Sequence, residues 1–204
     1  TMLDSYEAKA AVLAAKETCD LPVLLTLIFD EKGKLLTGGT VDSTVAMLEG
    51  LRVDALGVNC GLGPKQMHPI IERLTQVSSL PIIVNPNAGL PRSENGKTVF
   101  DIAPAEFSDL MEEIAGMGVQ ALGGCCGTTP EHLRLTIEKC RKVPFRPPVA
   151  KRRTVVSSFS QAVEIGPKPV IIGERINPTG KSKFKAALRE NNIEYILGEG
   201  MAQE

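Results

Sequence analysis

Four short apolar runs recur along the chain, at residues 21–28, 54–59, 81–85 and 120–124, each followed by a turn and a segment of helical periodicity. This alternation restricts the fold more than any other feature. The run at 21–28 is almost continuously apolar, as expected of a strand buried on both faces of a parallel sheet. Helices are predicted at about residues 40–51, 64–77, 104–117 and 129–140. Pro64, Pro104 and Pro130 open three of them, and Gly116 and Gly118 close the one before the last strand. Another helix precedes the first run: Asp4 and Glu7 resemble a capping box, and Ala8, Ala11, Val12 and Ala15 line one face. Strands spaced by roughly 30 residues are βαβ units and give an α/β fold with a parallel sheet. In both barrels and open sheets of this kind, chemistry collects just past the carboxyl ends of the strands. A complete (β/α)8 barrel needs about 250 residues, so four units are half of one.

After residue 140 the texture changes. The segment RKVPFRPPVAKRR, residues 141–153, holds three Pro and six basic residues with no acid. It reads as a solvated linker around the outside of the first domain. Residues 169–173 then form an apolar run predicted as a strand, followed by the turn GERINPTGK and a short helix at 182–190. That is one further βα unit. The domain reading is therefore 1–142, a linker at 143–168, and the start of a second domain at 169–204.

Composition removes several function classes. The formal net charge of −1 argues against nucleic acid or an anionic membrane as the main partner. There is no run of 18 apolar residues and no secretory signal, so neither a membrane span nor export is expected. Five Cys are too few, and odd in number, for a disulfide framework. A reducing, cytoplasmic location follows as an expectation.

Three of those cysteines fall at strand ends. Cys60 closes the second run inside GVNCGLGP, and Cys125 and Cys126 close the fourth inside GGCCGTTPEH, two βα units further on. All three thiols are therefore predicted at one rim of one parallel sheet. Adjacent cysteines after Gly-Gly are poor packing material and suit a metal. Zinc prefers four ligands, and three from the protein with one position open is its catalytic pattern. Cys19 and Cys140 sit on or at the ends of apolar helices and read as small buried hydrophobes. His68 and His132, at helix starts, could supply a fourth ligand or simply cap. Asn59 precedes the first cysteine and either bonds substrate or a ligand, or is an ordinary strand-end residue. Asn85 and Asn87 flank Pro86 at another strand end. The polar stretch 86–100 is either a lid over the mouth or a surface excursion. Thr128 and Thr129 read as helix caps.

Together GVNCGLGP, PNAGLP and GGCCGTTPEH resemble the homocysteine S-methyltransferase family. GERINPTGK resembles the opening of the methyltetrahydrofolate-binding domain that follows the homocysteine domain in the cobalamin-dependent members. The resemblance runs from residue 1 to about 200. It implies that the chain is a fragment: the last four βα units of a (β/α)8 TIM barrel, a linker, and the first βα unit of a second barrel. The family pattern runs Glu-Thr-Met, so a family Glu is expected immediately before Thr1, with other substrate-binding groups further upstream.

The activity so implied is methyl transfer to homocysteine, giving methionine. Cys60, Cys125 and Cys126 would hold zinc, and the homocysteine sulfur would take the open position as thiolate. The methyl donor would be methylcobalamin, carried by a cobalamin-binding domain and recharged from 5-methyltetrahydrofolate. Glu174 and Asn177, just past the run at 169–173, would lie at the pterin site. As a reading of the residues alone, Glu174 and Arg175 could equally form an ion pair. Two other functions compete: a cobalamin-free homocysteine methyltransferase using betaine or S-methylmethionine, and a non-catalytic domain whose zinc is closed by a fourth protein ligand. The folate-like segment argues against the first of these.

Overall fold

The computed structural model describes residues 1–166, 168–173 and 176–202. They fall into two compact units, Thr1–Glu164 and Ile165–Glu204. In the first, α1 (Ser5–Thr18) starts where the Asp4 carboxylate accepts the Glu7 N–H at 2.8 Å. There follow β1 (Leu24–Leu27), α2 (Val41–Gly50), β2 (Ala55–Asn59), α3 (Pro64–Val77) and β3 (Ile82–Asn85). A small antiparallel hairpin comes next, β4 (Arg92–Glu94) and β5 (Lys97–Val99). Then α4 (Pro104–Gly116), β6 (Ala121–Leu122) and α5 (Pro130–Cys140) complete the series.

The four runs form one parallel sheet in the order β1-β2-β3-β6. Alternate residues divide its two faces. Leu25, Leu27, Leu56, Val58, Ile82 and Val84 join a core with Val45, Leu48, Ile71, Leu74, Phe107 and Met111 from the helices. Each such side chain contributes ~1.5–3 kcal/mol by leaving water. Thr26, Gly57, Asn59, Ile83 and Asn85 alternate with these core residues, and so lie on the other face. β2 is central and wholly buried. It approaches β3 so closely that a Cβ on Gly57 would lie 1.8 Å from the Ile83 carbonyl oxygen. Only glycine fits there.

The structure modifies the sequence reading in four places. Met2 makes a parallel bridge to Leu27, so the first residues extend the sheet beyond β1. The stretch 86–100 folds into the β4–β5 hairpin. Its tip is Asn95-Gly96, both left-handed at φ 50° and 74°, the geometry of a type I′ turn. The segment expected to be an extended linker contains a second hairpin, β7 (Thr154–Ser157) and β8 (Ala162–Ile165). Residues 169–173, expected to be a strand, carry no strand; Ile171 is 95% and Ile172 80% exposed. A strand needs a neighbour for its backbone groups, and among the described residues none pairs with this run.

Within the first unit, the 141–153 segment and the hairpin after it are tied to the sheet and helices. The Gln120 side chain accepts the Ile82 N–H at 2.7 Å and donates to the Gly118 and Arg146 carbonyls at 2.7 and 2.8 Å. Lys151 N–H donates to the Ser79 hydroxyl at 2.9 Å, and Tyr6 stacks on Phe159 with ring centroids 5.8 Å apart. In the second unit, α6 (Ser182–Arg189) and α7 (Ile193–Met201) pack together, with Phe184 against Tyr195 at 6.4 Å.

Candidate metal centre

Cys60 follows β2 directly, and its backbone turns left-handed at φ 56°. Cys125 and Cys126 lie in the loop between β6 and the Thr129 cap of α5. The end of β3 holds these two loops together. The Asn85 carbonyl accepts the Cys60 N–H at 3.0 Å, and the Pro86 carbonyl accepts the Cys125 N–H at 2.8 Å. Asn87, 3% exposed, reaches both loops. Its N–H donates to the Leu62 carbonyl at 3.0 Å, and its Oδ1 accepts the Cys126 N–H at 3.1 Å. Ala88 N–H then donates to the Cys126 carbonyl at 2.9 Å. The Thr128 hydroxyl donates to the Cys125 carbonyl at 2.7 Å, so Thr128 braces the cysteine loop rather than capping the helix.

The result is a cluster of three thiols. Cys60 Sγ lies 3.8 Å from Cys126 Sγ, Cys125 Sγ lies 3.9 Å from Cys126 Sγ, and all three fall within 4.8 Å of one another. A tetrahedral site with ~2.3 Å metal–sulfur bonds spans about 3.8 Å between sulfurs, so the donor set fits such an ion. Among the described residues, no histidine or carboxylate joins the cluster. His68 is exposed on α3. Both ring nitrogens of the buried His132 are engaged: the Thr129 N–H donates to Nδ1 at 3.2 Å, which leaves Nε2 to donate to the Ile102 carbonyl at 3.0 Å. It caps α5 and braces the preceding loop.

The three thiols are electrostatically unlike. Burial raises Cys60, but the Gly61 N–H, the neighbouring thiols and the Asn87 side chain outweigh it and hold it below the ordinary 9.0. Cys125 is pushed up to about 11, by burial first and then by its contact with Cys60. Cys60 and Cys125 are thus shifted in opposite directions. A cation binding all three would favour the thiolate at each, since metal coordination deprotonates thiols.

Asn59 is 7% exposed, and its Oδ1 is buried with no hydrogen-bond partner. Asn177 is exposed, and its Oδ1 accepts the Thr179 N–H at 2.9 Å. Glu174 lies outside the described residues. Cys19 is exposed, contrary to its reading as a buried hydrophobe, whereas Cys140 is half-buried. The part of the site that sequence reasoning left unassigned is the clamp at Asn87. Its only sequence signal is its place in PNAGLP, opposite both cysteine loops.

The family model described as homocysteine S-methyltransferase matches residues 1–140. The chain belongs to the homocysteine S-methyltransferase family. Over 97% of its length it is 32% identical to a methionine synthase of Mycobacterium leprae and 30% identical to one of Mycobacterium tuberculosis. It spans only 17% of the length of each. Among solved structures, it is similar to the Escherichia coli homocysteine methyltransferase MmuM. The metallated form matches at a TM-score of 0.56 and 22% identity, over 69% of this chain and 43% of that one. The apo form matches at 0.55 and 21%, over 68% and 47%. These likenesses place the parallel sheet and its helices in the fold of that enzyme.

Proposed function

We propose that this chain is the metal-carrying second half of a homocysteine-binding (β/α)8 barrel, joined to the start of a methyltetrahydrofolate-binding domain, in a cobalamin-dependent methionine synthase. The observation that carries the reading is the thiol cluster, in a chain of this family: two loops two βα units apart deliver three sulfurs to one rim, two of their separations at 3.8 and 3.9 Å and all within 4.8 Å. Cys60, Cys125 and Cys126 would hold zinc. When bound, zinc supplies the Lewis acidity that keeps the homocysteine sulfur, with an ordinary thiol pKa of about 8.5, as a thiolate at neutral pH.

This chain's own residues fix the donor set. The β3 end clamps both cysteine loops, and Thr128 and His132 brace the stretch that follows, so the three sulfurs are placed before any substrate arrives. A sulfur lone pair of homocysteine then forms the new S–CH3 bond, and the donor leaves with the electron pair of the broken bond. Methylcobalamin on a cobalamin-binding domain is the proposed donor, recharged from 5-methyltetrahydrofolate. Glu174 and Asn177 are the proposed pterin contacts in the second barrel, supported by the segment GERINPTGK. No helix among the described residues is long and apolar enough to cross a membrane.

The test uses the complete protein that contains this chain, with each cluster cysteine replaced by Ser. Methyl transfer to homocysteine should be lost, while transfer from methyltetrahydrofolate to cobalamin persists. Equal loss of both half-reactions would sink the reading.

A further inference from the structure

His132 is the one titratable side chain buried among the described residues, and no step of the proposed reaction uses it. It is 5% exposed on α5, edge-on to Phe107 with ring centroids 5.3 Å apart. Its two nitrogens are links in a longer chain of hydrogen bonds. The Thr129 N–H donates to Nδ1 at 3.2 Å, and Nε2 donates to the Ile102 carbonyl at 3.0 Å. The Ile102 N–H donates to the Ala88 carbonyl at 3.0 Å, and the Ala88 N–H donates to the Cys126 carbonyl at 2.9 Å. Thr129 follows Cys126 by three residues, so the chain closes into a ring of Cys126, Ala88, Ile102, His132 and Thr129. Every link but His132 is made by peptide groups.

The cysteine loop has little else to define it. Gly123 and Gly124 precede the pair and Gly127 follows it, and glycine leaves the backbone free to take many conformations. Neighbouring side chains press on both ends of the loop. A Cβ on Gly123 would lie 2.3 Å from Asn85 Oδ1, and one on Gly127 would lie 2.4 Å from the Phe100 ring. Phe100 and Ile102 belong to the segment between β5 and α4. That segment meets the cysteine loop twice, directly at the Phe100 ring and through Ala88. His132 ties the same segment to α5. A neutral imidazole offers one acceptor and one donor on a rigid ring, which is what bridging an N–H and a carbonyl requires.

We infer that His132 is a positioning residue for the metal centre: through Ile102 and Ala88 it fixes the backbone of Cys126, and so holds that sulfur at the cluster. This deepens the proposed function and rests on its zinc site. His132 touches neither metal nor substrate. Its two bonds have separate roles. The one to Thr129 caps α5, and the one to Ile102 carries the effect on metal binding.

The experiment titrates this protein with zinc against a chelator of known affinity. The visible spectrum of the cobalt(II)-loaded protein serves as a second readout, sensitive to thiolate geometry. His132→Leu, which lacks both bonds, should weaken zinc roughly ten- to hundredfold, the range for outer residues that orient ligands. His132→Gln places its amide near the Nε2 position and donates to Ile102. It should return zinc affinity to within about twofold of the unmodified protein, the scale of a neutral substitution, and restore the cobalt(II) spectrum. His132→Asn places its oxygen near the Nδ1 position, accepting from Thr129 alone. It should keep the cap and still bind zinc as weakly as His132→Leu. An Asn variant that binds as tightly as the Gln variant, or a Leu variant with unchanged affinity, would overturn the inference while leaving the proposed function standing. An unmodified protein that binds no zinc would instead overturn the proposed zinc site, and this inference with it. Should His132→Leu fail to fold, the comparison of Gln with Asn alone decides.

Discussion

The strand β2 and residues 170–173 are chemically alike and structurally opposite. ALGVN and VIIG are both short, apolar and glycine-containing. The first is buried at every position between β1 and β3, with two ladders to satisfy its backbone. The second runs outside any ladder, with Ile171 and Ile172 almost fully exposed. Apolarity marks a segment able to enter a sheet. Neighbouring strands are what make it one, and the difference between the two regions is the supply of neighbours.

Four measurements would break or sharpen that contrast, each a denaturation experiment on this protein. Leu56→Ala in β2 should have the largest effect, a loss of ~2–5 kcal/mol, because Leu56 is 1% exposed in the packed core. A loss under ~1 kcal/mol would mean that β2 tolerates a cavity, against its complete burial. Gln120→Ala comes next, at about 1–3 kcal/mol. It leaves the Ile82 N–H at the start of β3 without its acceptor and frees the Arg146 segment. The same loss in a chain ending at Cys140 would show that the following segment contributes nothing.

Asp42 and Arg73 join α2 to α3 beside β2. The Arg73 guanidinium, bonded to Asp42, holds that carboxyl below its ordinary 3.8. A lowered carboxyl pKa gives stability that is present above the unfolded value and lost as pH falls through the folded one. Asp42→Asn should therefore cost about 0.5–1 kcal/mol at pH 7, the pair being partly exposed. The difference from the unmodified protein should close below pH 3.8. A gap that widens in acid would contradict the pairing. The smallest effect is expected at Ile171→Ala, within about 0.5 kcal/mol, as for an exposed residue. A core-sized loss there would show that 170–173 is packed against neighbours in solution, and the contrast with β2 would fall.

Much of the architecture was legible in the residues. The order of strands and helices in the first unit follows from apolar runs, Pro at helix starts and Gly at helix ends, because these signals are local. The convergence of Cys60, Cys125 and Cys126 was also readable, since parallel strands must end on the same rim. The Asn95-Gly96 hairpin was not read from the residues, which gave 86–100 only as a lid or a surface excursion, although its left-handed turn is a local signal.

Other features depended on residues far apart in sequence. Asn87 is one of several strand-end asparagines, and only the packed loops show that it spans Leu62 and Cys126. Gly57 and Gly123 look like other glycines until β3 is laid against their missing side chains. Gln120 resembles a surface residue until the 141–153 segment passes beside it. The run at 169–173 has the composition of a strand, but composition cannot supply a partner. Local chemistry determined which elements form and which residues reach the rim. Tertiary packing decided which polar groups are shared, which are left without a partner, and where an apolar run becomes a strand, because each outcome is set by atoms the sequence places dozens of residues away.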